Sequence, residues 1–532
     1  MALLAIRAQF DYAQDAENRR LTRQPTYGQI KPFHSPVLSV HPLWLIRLQR
    51  PHHRKTVYMH LRGTLMKRSV IRLRTSTTAL LLPVLAALTL SSQGAQAADT
   101  DTLSMESYVR PINAEPLDLS ALQSASGQQK LQGLRTQQAP EALLPNEVVG
   151  PARSYAPHAA EASAQPSATE RADVSSLAAT VSLPEPAHSM TKEECVLGLG
   201  TQQFFVKSRY AVCSGKQFDQ VWLRNGEPVG TSHFDVLGIG TIPKNSRVMT
   251  VNYYYTDFAR VGTNAAPALG ITTKGSIAQS WPSTAKYTHG GTTMPVTKKW
   301  AELLAGKPIT HTVSVPSSEK GSNGATNNIS AVYISNIKLV SPPGWTANAF
   351  TGGDLFMLPP RWDKAPYLSS AATGAAVFSV TTALQYSTAA TAPEREVALH
   401  IKKAFTKPGS TQPPSSKKHV PGQTADAPLT RLYSDTKRRD QNRNRSVYNC
   451  QKYFGTGYTQ NGTKECDEYP MATTYEGAVW SDYDPRAEPN NFSVLPVAKA
   501  SNRDAGILLG QFYDKNRIID GPDDGFLVKI LP

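Results

Sequence analysis

From residue 203 onward the chain alternates between apolar and polar residues. The alternation or β-branched enrichment is clearest at 203–207, 220–223, 248–255, 309–315 and 331–340, the period-two pattern of strands with one buried face. Gly, Pro, Asn and Ser separate these runs, and Arg224-Asn225-Gly226-Glu227 carries the Asn-Gly of a two-residue hairpin. The pattern predicts a β-rich, sandwich-like or barrel-like domain over 189–390. Alternate members of Tyr253-Tyr254-Tyr255 are expected to face its core. Between 394 and 405 the period lengthens. Val397, Ile401 and Phe405 recur four apart, which predicts a helix. A loop rich in Pro, Gly, Ser and Thr follows, so 391–428 reads as helix and linker. The spacing leaves open whether the helix closes the domain before it or opens the one after it. Further on, the residues from Pro496 to Arg517 predict another helix, with Pro496 in its first turn and Val497, Ala505, Leu508 and Phe512 on one stripe.

Upstream of 189 the pattern fades. Residues 98–188 are rich in Ala, Ser, Gln, Pro and Glu, and Tyr108 and Tyr155 are their only aromatics. Such a segment buries too little apolar area to offset chain entropy, so a disordered spacer or pro-segment is expected. Residues 66–97 have the three parts of a secretory signal: Met66-Lys67-Arg68, the apolar run from Ala79 to Leu88, and Ala95-Gln96-Ala97 before the cut. The 65 residues in front of it are basic and aperiodic, and translation is expected to start at Met66. The apolar run is too short to span a bilayer, and no transmembrane segment is expected in the mature, exported chain.

These segments change the meaning of the charge. Residues 1–65 contribute +7 and 66–97 contribute +4, which leaves +4 of the formal +15 for the rest. Whole-chain basicity is therefore no argument for a nucleic-acid partner. The four cysteines all lie after the predicted cut, and an even number in an exported chain reads as disulfides. The sequence-local pairing is Cys195 with Cys213 and Cys450 with Cys466, each closing a loop worth about 3 kcal/mol.

Chemistry concentrates near Cys466. Asp467, Glu468 and Glu476 fall within one short span, and acids held close together can ligate a hard cation or poise one member as a base. Before them runs a cationic stretch including Arg438, Arg439, Arg443 and Arg445, of the kind that grips phosphate backbones regardless of sequence. No catalytic constellation is visible in the middle region, whose ligand, a glycan or a cell-surface component, the sequence does not identify.

Cys466-Asp467-Glu468-Tyr469-Pro470, followed by Glu476-Gly477-Ala478, resembles the core of the NucA/NucB family of secreted bacterial deoxyribonucleases. The resemblance continues through Asn491-Phe492-Ser493-Val494, Ser501-Asn502-Arg503, Gly506 to Gly510, Phe512-Tyr513, Asn516-Arg517-Ile518 and Phe526-Leu527-Val528. Upstream it touches Leu432-Tyr433 and Asn444-Arg445. It implies a small α+β nuclease domain of the ββα-metal type at 429–532, acting on DNA with Mg²⁺ or Mn²⁺. Asn502 and an acid would hold the metal, with Asp467 as base or ligand and Glu468 and Glu476 sharing what remains. Arg503 or Arg443 would offset transition-state charge, and Arg438, Arg439, Arg443, Arg445 and Arg517 would contact DNA. Many nucleases of this type use a histidine base, but none occurs from Val420 to Pro532, so a carboxylate or metal-bound hydroxide is expected instead. Two other readings stay open: a non-enzymatic secreted binding or adhesion protein, and a ribonuclease or antibacterial toxin using the same site.

Overall fold

The Asn-Gly hairpin forms where the pattern puts it. Asn225 and Gly226 both adopt positive φ, 52° and 85°, as a two-residue turn matched to strand twist requires. They join strands Ala211–Arg224 and Glu227–Thr241, paired in antiparallel register from Arg224–Glu227 inward. The computed structural model describes residues 101–139, 148–149, 181–200, 202–321, 326–348 and 350–532. The upstream extension, the signal segment and residues 98–100, 140–147 and 150–180 of the expected spacer lie outside the described residues. All described residues belong to one compact unit.

Two sheets, antiparallel but for one edge pairing, account for the middle region. One has eight strands, centred on Ala211–Arg224, Glu227–Thr241 and Val248–Gly262; the other has six, centred on Gly270–Trp281 and Ile329–Val340. They share an apolar core in which Phe218, Trp222, Phe234 and Tyr253 of the first meet Ile271, Tyr333, Ile337 and Trp362 of the second. Tyr253 and Tyr255 are buried and Tyr254 only partly so, as period two demands. Cys195 and Cys213 are bonded, with Cα atoms 6.0 Å apart.

Part of the expected spacer is ordered. Leu103–Pro111 is a strand paired with Ala211–Arg224, and it sends Met105 and Val109 into the shared core. A segment poor in apolar residues can do this because the existing sheet supplies both its hydrogen bonds and most of the core.

In chain order the C-terminal part runs β1 (Thr382–Ser387), α1 (Arg395–Thr406), α2 (Thr436–Phe454), β2 (Lys464–Tyr469), β3 (Ser493–Ala498), α3 (Lys499–Lys515) and β4 (Gly525–Leu531). β1 pairs in parallel with β4, and β2 pairs antiparallel with β3. The helix at 395–406 packs with this part, not with the β-rich sheets: Val397, Ile401 and Ala404 share a core with Leu508, Phe512 and Phe526. Its sheet partner β1, read from sequence as part of the middle region, is paired here as well. Pro496 is not in a helix. It sits in β3 opposite Cys466, a place proline tolerates because each strand of a two-stranded sheet has a free edge.

Buried charges join this part to the β-rich sheets. Asp524 accepts from Arg209 at 2.6 Å and pairs with Arg361 at 2.7 Å, while Arg517 Nε donates to Asp363 at 3.0 Å. All five side chains are at most 5 % exposed. Burial alone would raise the Asp524 carboxyl, but the two guanidinium groups hold it below its ordinary value.

Candidate active site

The site is built on β2. Alternation along this strand puts Glu465 and Asp467 on one face and Cys466 and Glu468 on the other. The first face is covered by α1 and α3, the second by α2. Asp467 and Glu468, adjacent in sequence, therefore point to opposite sides.

On the first face, Asn502 in the first turn of α3 donates from Nδ2 to Glu465 Oε2 at 3.0 Å. Lys499 Nζ lies 3.6 Å from Glu465 Oε1. Asp467 is 6 % exposed, and its Oδ2 is 2.6 Å from Nδ1 of His400 on α1. The other imidazole nitrogen of His400 lies 2.7 Å from Ser493 Oγ on β3. α1 also fixes the start of α3: Glu396 accepts from the Ala498 N–H at 2.8 Å, and its own N–H donates to Ser501 Oγ at 3.2 Å.

On the second face, the Cys450–Cys466 disulfide ties β2 to α2, with Cα atoms 6.1 Å apart. Beside it Arg443 Nη2 lies 3.9 Å from Glu468 Oε1. Burial pushes the Glu468 carboxyl up to about 7, against the pull of Arg443.

The remaining sequence-picked residues scatter. Glu476 is buried and accepts from the N–H and hydroxyl of Thr430, at 2.8 and 2.7 Å. Burial raises its carboxyl to about 7 as well, opposed by those two hydrogen bonds. Both of its oxygens accept from Thr430. Arg503 is exposed and bonded to Asp504. In the cationic run, Arg443 is well exposed, and Arg445 is paired with Asp482 at 2.7 Å. Arg438 is buried over the rings of Tyr475 and Tyr483, and Arg439 lies over Tyr433. Arg517, expected at the DNA surface, is 2 % exposed and held by Asp363. It is a structural ion pair, because a buried guanidinium needs an acid to offset its desolvation.

Three residues of the first face were not among the sequence candidates: His400, Glu465 and Ser493. Glu465 could have been found from the strand period, two positions before Asp467. His400 sits on the buried stripe of α1, and a histidine among Val397, Ile401 and Ala404 was the available sign.

Among the described residues no group of three or more His, Cys, Asp or Glu side chains is arranged to hold a metal ion. The donors present suit a hard divalent cation all the same. Glu465 and Asn502 are half-exposed and joined by a hydrogen bond from the amide nitrogen to the carboxylate; carboxylate and carboxamide oxygens are ligand types a hard cation takes, and Mg²⁺ is commonly bound through one or two carboxylates while keeping several waters. No described helix is long and apolar enough to cross a membrane.

No curated protein and no solved structure matches the chain. A family model does match, over residues 417–528, and it is that of the deoxyribonucleases NucA/NucB. The matched stretch holds α2, β2, β3 and α3 and the first four residues of β4, but not α1. By that match the C-terminal part of this chain carries a domain of the NucA/NucB deoxyribonuclease family.

Proposed function

We propose that the chain is an exported, divalent-metal-dependent, sequence-nonspecific DNA endonuclease whose catalytic domain is of the ββα-metal type. The observation that carries this reading is the presence of Glu465, Asp467 and Asn502 on one face of β2 and the adjoining turn of α3, inside the stretch that matches the nuclease family. The unbroken order β2, β3, α3 agrees with the ββα arrangement. Export is supported by the leader at 66–97 and by the two disulfides.

In this reading Asn502 and Glu465 would hold Mg²⁺ or Mn²⁺, which supplies Lewis-acid stabilisation of charge on the phosphate. Asp467 takes the proton of the attacking water as its oxygen bonds to phosphorus and the bond to the leaving nucleotide oxygen breaks. Arg443, exposed on α2, attracts the phosphate backbone. Glu468 faces α2 and holds Arg443, and it takes no part in proton transfer. The middle β-rich region has no assigned ligand in this scheme.

The test is plasmid cleavage by the purified chain in Mg²⁺ or Mn²⁺, with and without chelator, and with RNA in parallel. Cleavage of DNA that stops on chelation is expected. Intact plasmid in both metals would leave a binding protein, and preferential loss of the RNA would make it a ribonuclease.

A further inference from the structure

His400 reaches the acidic strand from α1, outside the stretch that matches the nuclease family. We infer that His400 is a positioning residue that fixes the Asp467 carboxylate for proton transfer, an inference that rests on the reading of Asp467 as the base. The ring is bridged on both sides, to Asp467 Oδ2 at 2.6 Å and to Ser493 Oγ at 2.7 Å. An ionised carboxylate can only accept, so Nδ1 carries a proton and donates it to Asp467. Ser493 stands opposite Tyr469 in the β2–β3 ladder, so the imidazole spans α1 and both strands.

The three side chains are buried, His400 at 2 %, Asp467 at 6 % and Ser493 at 0 % exposed. A polar ring in such a place is costly unless both nitrogens find partners, and here both do. The neighbouring stripe residues Val397, Ile401 and Ala404 are apolar, so helix packing by itself gives no reason for a histidine at this position. Nor can the ring meet substrate, since both nitrogens are engaged within the protein. It acts through Asp467: with Oδ2 committed to His400, proton transfer falls to Oδ1. A carboxylate freed from that bond would turn, and misplacement by about 1 Å can cost on the order of 100-fold in rate.

The full exported chain tests this with His400→Leu, which removes both bonds, and His400→Asn, whose amide keeps a donor near the position of Nδ1. We expect kcat for DNA cleavage to fall about 10- to 100-fold in the leucine variant with KM within about threefold, and the asparagine variant to recover to within about fivefold of wild type. The ¹⁵N imidazole spectrum gives a readout independent of turnover: the His400 ring should carry a proton on Nδ1, and its signal should move in Asp467→Asn. Wild-type kcat in His400→Leu would overturn the inference and leave the nuclease reading standing. So would an Nδ1 without a proton, or equal losses of kcat and thermal stability in both variants. A wild-type chain that leaves DNA intact would overturn the underlying reading, and this inference with it.

Discussion

Asp467 and Glu468 share a peptide bond but not an environment, and the proposed mechanism gives them different roles. Asp467 faces α1 and α3, on the same side of β2 as Glu465 and near the helix that carries Asn502. Glu468 faces α2 and pairs with Arg443 at 3.9 Å. Replacing Asp467 by Asn should lower plasmid cleavage by at least about 100-fold, while Glu468→Gln should stay within about tenfold, since Glu468 faces α2 on the other side of β2 from Glu465 and Asp467. Equal losses in the two variants would refute the assignment. Glu476 makes a third contrast. Its two oxygens hold Thr430, so Glu476→Gln should leave cleavage unchanged and unfolding free energy within about 1 kcal/mol, because the amide oxygen can accept the Thr430 N–H while its NH2 donates to the Thr430 hydroxyl, which accepts as well as donates. Urea titration and the plasmid assay on the same preparation check both halves.

At the scale of elements, what was legible in the sequence was what is local. The two-residue hairpin, the alternation of Tyr253–Tyr255 and the four-residue spacing of α1 each follow from a handful of neighbouring side chains. What was not legible depends on distant pairing. His400 meets Asp467 across 67 positions, and β1 meets β4 across more than twice that. Arg517 shows the limit most plainly: an arginine that grips phosphate and one buried against Asp363, 154 positions away, read alike in sequence. Pro496 was misplaced because proline is common both in the first turn of a helix and at a free strand edge. The same long-range packing bears on which fragment folds. A fragment of residues 429–532 contains every sequence-picked acid but lacks α1 and β1, and with them Val397, Ile401, Ala404 and Leu384 of the core. It should show little ordered structure by circular dichroism and near-baseline cleavage; a folded, active fragment would show that α1 is dispensable.

Across the whole molecule, the β-rich sheets and the C-terminal part are joined by buried ion pairs, and this gives stability a defined pH dependence. The carboxyl of Asp524 is held below its ordinary value in the folded chain, so it binds its proton more weakly folded than unfolded. Its stabilising contribution is present above the unfolded value of about 3.9 and is lost as pH falls through and below it. Unfolding free energy should therefore drop steeply below about pH 4. Arg361→Ala should cost about 3–5 kcal/mol at neutral pH, since it leaves a buried carboxylate short of a partner. Urea titrations from pH 3 to 7 measure both, and a pH-independent midpoint in that range would contradict the role given to Asp524.

The parallel pairing of β1 with β4 has a consequence for when activity can arise. Residues 525–531 are translated after every side chain of the site, yet they are the central strand on which β1, and through it α1, is seated. A nascent chain arrested before residue 525 therefore holds all the proposed catalytic groups without the platform on which β1 is seated. On the proposed function, activity would arise only once residues 525–531 have been made and β1 has docked on them.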